Sequence, residues 1–90
     1  MSDLSEIRNE IDATDREIIK LLEKRIGLSK KVAFDKMKTG KKIFDKEREL
    51  EKLSSVKNIV NDPANASDIK KLYEQIMSGS RKIQYRILEE

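Results

Sequence analysis

Among the 90 residues there is no cysteine, no histidine and no tryptophan. Without cysteine there is neither a disulfide framework nor thiolate chemistry. Without histidine the usual general base and the commonest metal ligand are both missing. Two Phe and two Tyr are the whole aromatic complement, which suits an exposed helical bundle better than a thick core. No apolar run approaches the roughly 20 residues of a membrane span. The opening MSDLSEIRNE lacks the basic start and apolar centre of a signal peptide. A cytoplasmic protein is the expectation. Charge is not one-sided either. Twenty basic residues face 17 acidic ones, and the two signs are interleaved. That argues against a polybasic nucleic-acid arm.

What is present is charge in quantity and helical periodicity. Charged residues make up 41% of the chain and apolar residues 37%. The pattern predicts one all-α domain over 1–90, with three helices and no strand of useful length. The first helix, from about Asp3 to Lys38, has Ser2 or Asp3 as cap and Glu6 completing a capping-box pattern. Leu4, Ile11, Ile18, Arg25 and Val32 recur every seven residues, with Ile7, Thr14, Leu21 and Leu28 as companion row. Thr39-Gly40 ends this helix. The second begins near Asp45, with Phe44, Leu50, Leu53, Val56 and Val60 as its apolar face. Asn61-Asp62-Pro63-Ala64-Asn65 breaks the chain. The third starts between Asn65 and Ser67 and carries Ile69, Tyr73, Ile76, Ser80, Ile83 and Ile87, flanked by Leu72, Met77, Gln84 and Leu88.

The first helix is too long for a domain of this size. About 36 residues make a rod of ~54 Å, whereas a compact chain of this length is roughly 30 Å across. Its seam runs almost end to end, so the protruding part also needs cover. A second copy supplies it, and the expectation is an intertwined homodimer with the long helices antiparallel about a two-fold axis. The alternative is a monomeric bundle with the first helix kinked at Gly27.

Several polar groups sit on the apolar faces. Arg25 occupies a seam position that calls for Leu or Ile. A guanidinium cannot shed its charge, so burying it demands a negative partner. Lys36, eleven residues on, points almost the same way. Arg8 is roughly 26 Å back along the rod, too far to share a small ligand with Arg25 of its own chain, although the antiparallel partner's Arg8 could reach it. Ser80 and Gln84 lie one turn apart on the third helix, and Glu47 stands in the first turn of the second. Each also has a plainer explanation. Arg25 could snorkel or set register, Lys36 could serve the helix dipole, Arg8 could be solvated, and Glu47 could be a helix-start charge. Ser80 could ease packing and Gln84 could pair with backbone. Arg48, Glu49 and Glu51 read as a solvated face.

Three segments in order change the balance. IRNEIDATDREIIKLLEKR (7–25) resembles the I-R-x-x-I-D-x-x-D opening of the all-helical chorismate mutases. KMKTGKKIFDKERELEKL (36–53) is similar to their K-x-x-x-G-x-x-[IV]-x-D-x-x-R-E connection, and SGSRKIQ (78–84) to their closing S-x-x-x-Q. The resemblance covers essentially the whole chain. Lys42 departs from it where Pro is common, and Ile43 where some relatives are acidic.

The resemblance implies an isomerase that rearranges chorismate to prephenate in aromatic amino-acid (Phe/Tyr) biosynthesis, without metal or cofactor. Arg25 and the partner's Arg8 would hold the substrate's two carboxylates. Lys36 and Gln84 would donate to the ether oxygen, Glu47 would accept from the ring hydroxyl, and Ser80 would contact a carboxylate or its water. Alternatives are an isochorismate pyruvate-lyase on the same scaffold and a non-catalytic helical dimerisation or regulatory module.

Overall fold

The first helix starts where the sequence supplies a cap. In a computed structural model that describes residues 3–89, Asp3 is extended and its carboxylate accepts the Glu6 N–H at 2.8 Å. Ser2, the alternative cap, lies outside the described residues. Helix α1 then runs Leu4–Thr39 without interruption, Gly27 included. It closes on Gly40, whose φ of 72° is the left-handed conformation that glycine adopts without steric penalty. Helix α2 spans Lys46–Ile59, with the Asp45 carboxylate accepting the Arg48 N–H at 3.0 Å. Asp62 caps a 3₁₀ turn at Pro63–Asn65, which leads directly into α3, Ala66–Glu89. Among the described residues there is no strand.

Helix α3 packs along the C-terminal half of α1 and also carries α2. The buried set is small: Ala33, Ile43, Val56 and Met77, with Ser29 and Gln84 as polar members. No large side chain among the described residues is fully buried. The molecule measures 57 × 27 × 14 Å, with a radius of gyration of 16.5 Å. A compact chain of this length would have a radius near 12 Å. The first helix therefore does protrude.

Burial corrects the expected faces in detail. In α1, the residues covered by the chain itself are Leu22, Arg25, Ser29, Ala33 and Lys36. At about 100° per residue these fall on one narrow stripe, and Leu21 and Leu28 of the expected companion row lie well to one side of it. Leu21 is 65% exposed and Leu28 50%; towards the N-terminus, Ile11 and Leu4 are open as well. The heptad seam is real as a sequence pattern, but within one chain only Arg25 of that seam is partly covered. Thr14 on the companion row folds its hydroxyl back onto the Glu10 carbonyl at 2.8 Å. In α3 the deepest residues are Met77 and Gln84, expected only as flanks. In α2, Val56 is buried and Leu53 partly so, whereas Leu50 faces out.

Candidate active site

The three helices and the α1–α2 connection enclose an open-sided cavity of about 350 Å³. Helix α1 contributes Arg25, Leu28, Ser29, Val32 and Lys36, and the connection adds Ile43. Helix α2 contributes Asp45, Arg48, Glu49 and Lys52, and α3 contributes Met77, Ser80, Arg81 and Gln84. Leu28, Val32, Ile43 and Met77 form an apolar wall. Around it stand five cationic side chains and two carboxylates.

Arg25, Lys36, Ser80 and Gln84 on the α1 and α3 walls are each held by the fold. The Arg25 guanidinium donates to Ser80 Oγ, and Ser80 in turn donates to the Ile76 carbonyl at 3.1 Å. Lys36 Nζ donates to the Ile43 carbonyl at 2.7 Å. An ammonium has three N–H bonds, so two remain for a ligand. Gln84 is 7% exposed, and its Nε2 donates to the Ser29 carbonyl at 3.0 Å. That bond fixes the amide the right way round and leaves its second N–H free for the cavity. Both carboxylates are committed. Asp45 caps α2, and Glu49 pairs with Arg81, the single ion pair among the described residues. Arg25, Lys36, Arg48 and Lys52 thus stand around the cavity with no carboxylate paired to them. A concave site with excess positive charge, an apolar wall and an oriented neutral donor in Gln84 suits a small dianion with an apolar ring.

The family model for chorismate mutase type II matches residues 7–85. The chain belongs to the chorismate mutase type II family. That membership makes it an isomerase, as the sequence resemblance implied. A chorismate mutase of Methanocaldococcus jannaschii is 32% identical over 88 residues, covering 97% of this chain and 89% of the relative. No solved structure gives a significant match.

Of the residues expected at a chorismate mutase site, the structure brings together Arg25, Lys36, Ser80 and Gln84. It does not bring in Arg8, which is exposed near the far end of α1. Glu47 is also absent from the cavity wall, and the reason is angular. Val56 marks the inward face of α2, and nine residues separate it from Glu47. Nine steps of about 100° end on the opposite side of the helix. Glu49 and Lys52 lie seven and four residues before Val56, within about 40° of its direction, while Arg48, eight before, stands about 80° to one side and is exposed at the rim. The carboxylate at the cavity beyond the helix cap is therefore Glu49. Arg48 and Glu49 were expected on a solvated face, yet they stand in the quoted motif D-x-x-R-E. Counting back from Val56, instead of averaging over Phe44, Leu50 and Val60, places Glu49 inward and leaves Arg48 at the cavity's exposed edge. Arg81 and Lys52 had no comparable signal, because a basic residue beside an apolar stripe is ordinary on a helix this charged.

Proposed function

We propose that this chain rearranges chorismate to prephenate in the cavity between α1, α2 and α3, by holding the folded dianion and stabilising charge on its ether oxygen. The reaction breaks one C–O bond as one C–C bond forms, within one molecule, and moves no proton or hydride to the protein. Catalysis then needs two things: restriction of a flexible substrate to its reactive conformer, and preorganised donors where negative charge grows. The cavity has groups for both.

Arg25 suits a carboxylate, since its planar fork grips two oxygens and Ser80 already sets its orientation. Ser80 spends its proton on Ile76, which favours an orienting role for it over direct substrate contact. Lys36 and Gln84 approach from α1 and α3 and retain free N–H groups for the ether oxygen. Arg48 is a further cation on the same wall, and Glu49 takes the hydroxyl-accepting part first assigned to Glu47.

The second carboxylate is the task of the partner's Arg8 in a two-fold dimer. The uncovered strip of α1 supports this. Leu4, Ile7, Ile11, Ile18, Leu21 and Leu28 stay largely open, and an apolar cleft between Ile18, Leu21 and Leu22 of α1 and Ile69, Leu72 and Tyr73 of α3 lies beside Arg25. Monomeric proteins rarely leave so continuous an apolar strip in water. An antiparallel copy lying on that strip runs its N-terminal turns, and Arg8 with them, past the Arg25 end of the cavity. The product's use in aromatic amino-acid synthesis follows from the same reading.

The observation that carries the reading is the convergence of Arg25, Lys36 and Gln84, fixed by the protein but unpaired with acid, on one cavity. The test is direct. Purified chain is given chorismate, and prephenate is measured together with the mass in solution. Prephenate formation by a species of twice the chain mass is expected. Salicylate and pyruvate from isochorismate, with no prephenate from chorismate, would assign the lyase reaction instead.

A further inference from the structure

Arg81 follows Ser80 on α3 and makes two contacts that no other cavity residue makes. Its guanidinium pairs with the Glu49 carboxylate on α2. Its Cζ also lies 4.9 Å from the centroid of the Phe44 ring in the α1–α2 connection, a cation–π distance. The residue before Phe44 is Ile43, buried, whose carbonyl holds Lys36 Nζ. One side chain on α3 thus reaches both the inward carboxylate of α2 and the strap on which Lys36 rests.

The two cavity carboxylates are not equivalent. Asp45 is occupied by the N-terminus of α2. Glu49 lies further along the helix, has no backbone N–H within reach, and has Arg81 as its partner. A carboxylate without compensation at this place would face an arriving dianion, and like charges brought together in a partly desolvated site repel strongly. On the reading of the site given above, we propose that Arg81 is a positioning residue for the rearrangement. It neutralises Glu49 and holds one of its oxygens on the α3 side, so that the other oxygen stays free to accept the substrate's hydroxyl. It also clamps the Phe44 strap that carries the Ile43 carbonyl. Arg81 acts through Glu49 and the strap and does not itself hold the substrate.

The experiment is a double-variant cycle in steady-state chorismate turnover, using R81Q, E49Q and both together, with R81K as the charge-keeping variant. R81Q should raise KM roughly tenfold, the size expected for uncoupling a paired charge, because Glu49 is left bare. Adding E49Q removes that bare charge, and KM of the double variant should return to about that of E49Q alone. R81K keeps a cation beside Glu49, so its KM should stay close to that of the parent while kcat falls a few-fold as the strap loosens. Far-UV circular dichroism checks that each variant is folded, and R81K answers the question if R81Q is not. If the R81Q and E49Q effects simply multiply, Arg81 contacts substrate directly and the inference fails. It fails equally if folded R81Q, or R81K where R81Q does not fold, has kinetics like the parent. If the parent itself forms no prephenate, the reading of the site fails first and this inference with it.

Discussion

Lys36 and Gln84 carry the chemistry in this account, and both are restrained before any substrate arrives. Lys36 rests on the Ile43 carbonyl, and Gln84 on the Ser29 carbonyl. Restraint matters because a donor that must reorganise when charge develops contributes less than one already aimed. Lys36→Ala should therefore lower kcat by about 10²–10³, the usual loss when one preorganised donor is removed, while helical content stays at the parent level. Near-normal kcat in that variant would remove Lys36 from the mechanism. Gln84→Glu tests its partner by pH. An ionised glutamate offers only acceptors, to the Ser29 carbonyl and the ether oxygen alike, whereas a protonated one offers a donor. Activity of that variant should rise as pH falls and the introduced carboxyl takes up its proton. A flat profile would place Gln84 away from the ether oxygen. Arg25 and Ser80 were legible in the sequence because each interrupts an apolar stripe, where a polar group must answer to something; Lys36 was legible from its eleven-residue spacing from Arg25, and Gln84 from its place one turn after Ser80 beside the stripe. Glu49 and Arg81 were not, because they lie among many charges: for Glu49 only the direction of Val56 separates inward from outward, and for Arg81 on α3 no such marker exists.

At the scale of the element, the helix ends were the most legible part of the chain. Asp3, Asp45 and Asp62 each accept the N–H two or three residues on, and Gly40 takes the left-handed conformation after the last turn of α1. These are local effects, set by a few neighbouring residues, so a single sequence displays them. Helix faces were less legible. The stripe of α1 is wider than the part its own chain covers, and periodicity cannot say which edge of a wide stripe meets which neighbour. Gly40 gives the sharpest test at this scale. A Cβ built there meets nothing within 4 Å, so replacing it exposes the backbone term alone. Gly40→Ala should destabilise the fold by about 1 kcal/mol in urea unfolding. It should also lower activity, since the Ile43 strap begins three residues later. No loss of stability would mean that the α1 end does not depend on the left-handed turn.

For the whole molecule, the dominant fact is a helix of 36 residues that its own chain covers only in part. The thin buried set, the 57 Å length and the open strip through Leu4, Ile11, Leu21 and Leu28 are consequences of that one element. A second copy would cover the strip and bring a distant cation to each cavity at once. The assembly and the site are then one claim, in which every cavity takes Arg25 from one protomer and Arg8 from the other. Complementation tests this most directly. Arg8→Ala and Arg25→Ala chains, each nearly inactive alone, are co-expressed or refolded together in equal amounts and assayed for prephenate formation. In a mixed two-fold dimer one cavity regains both arginines and the other loses both. With half the dimers mixed, activity should recover to about a quarter of the parent's. Activity no higher than the average of the two separate variants, in a preparation shown by mass to contain mixed dimers, would contradict the shared site.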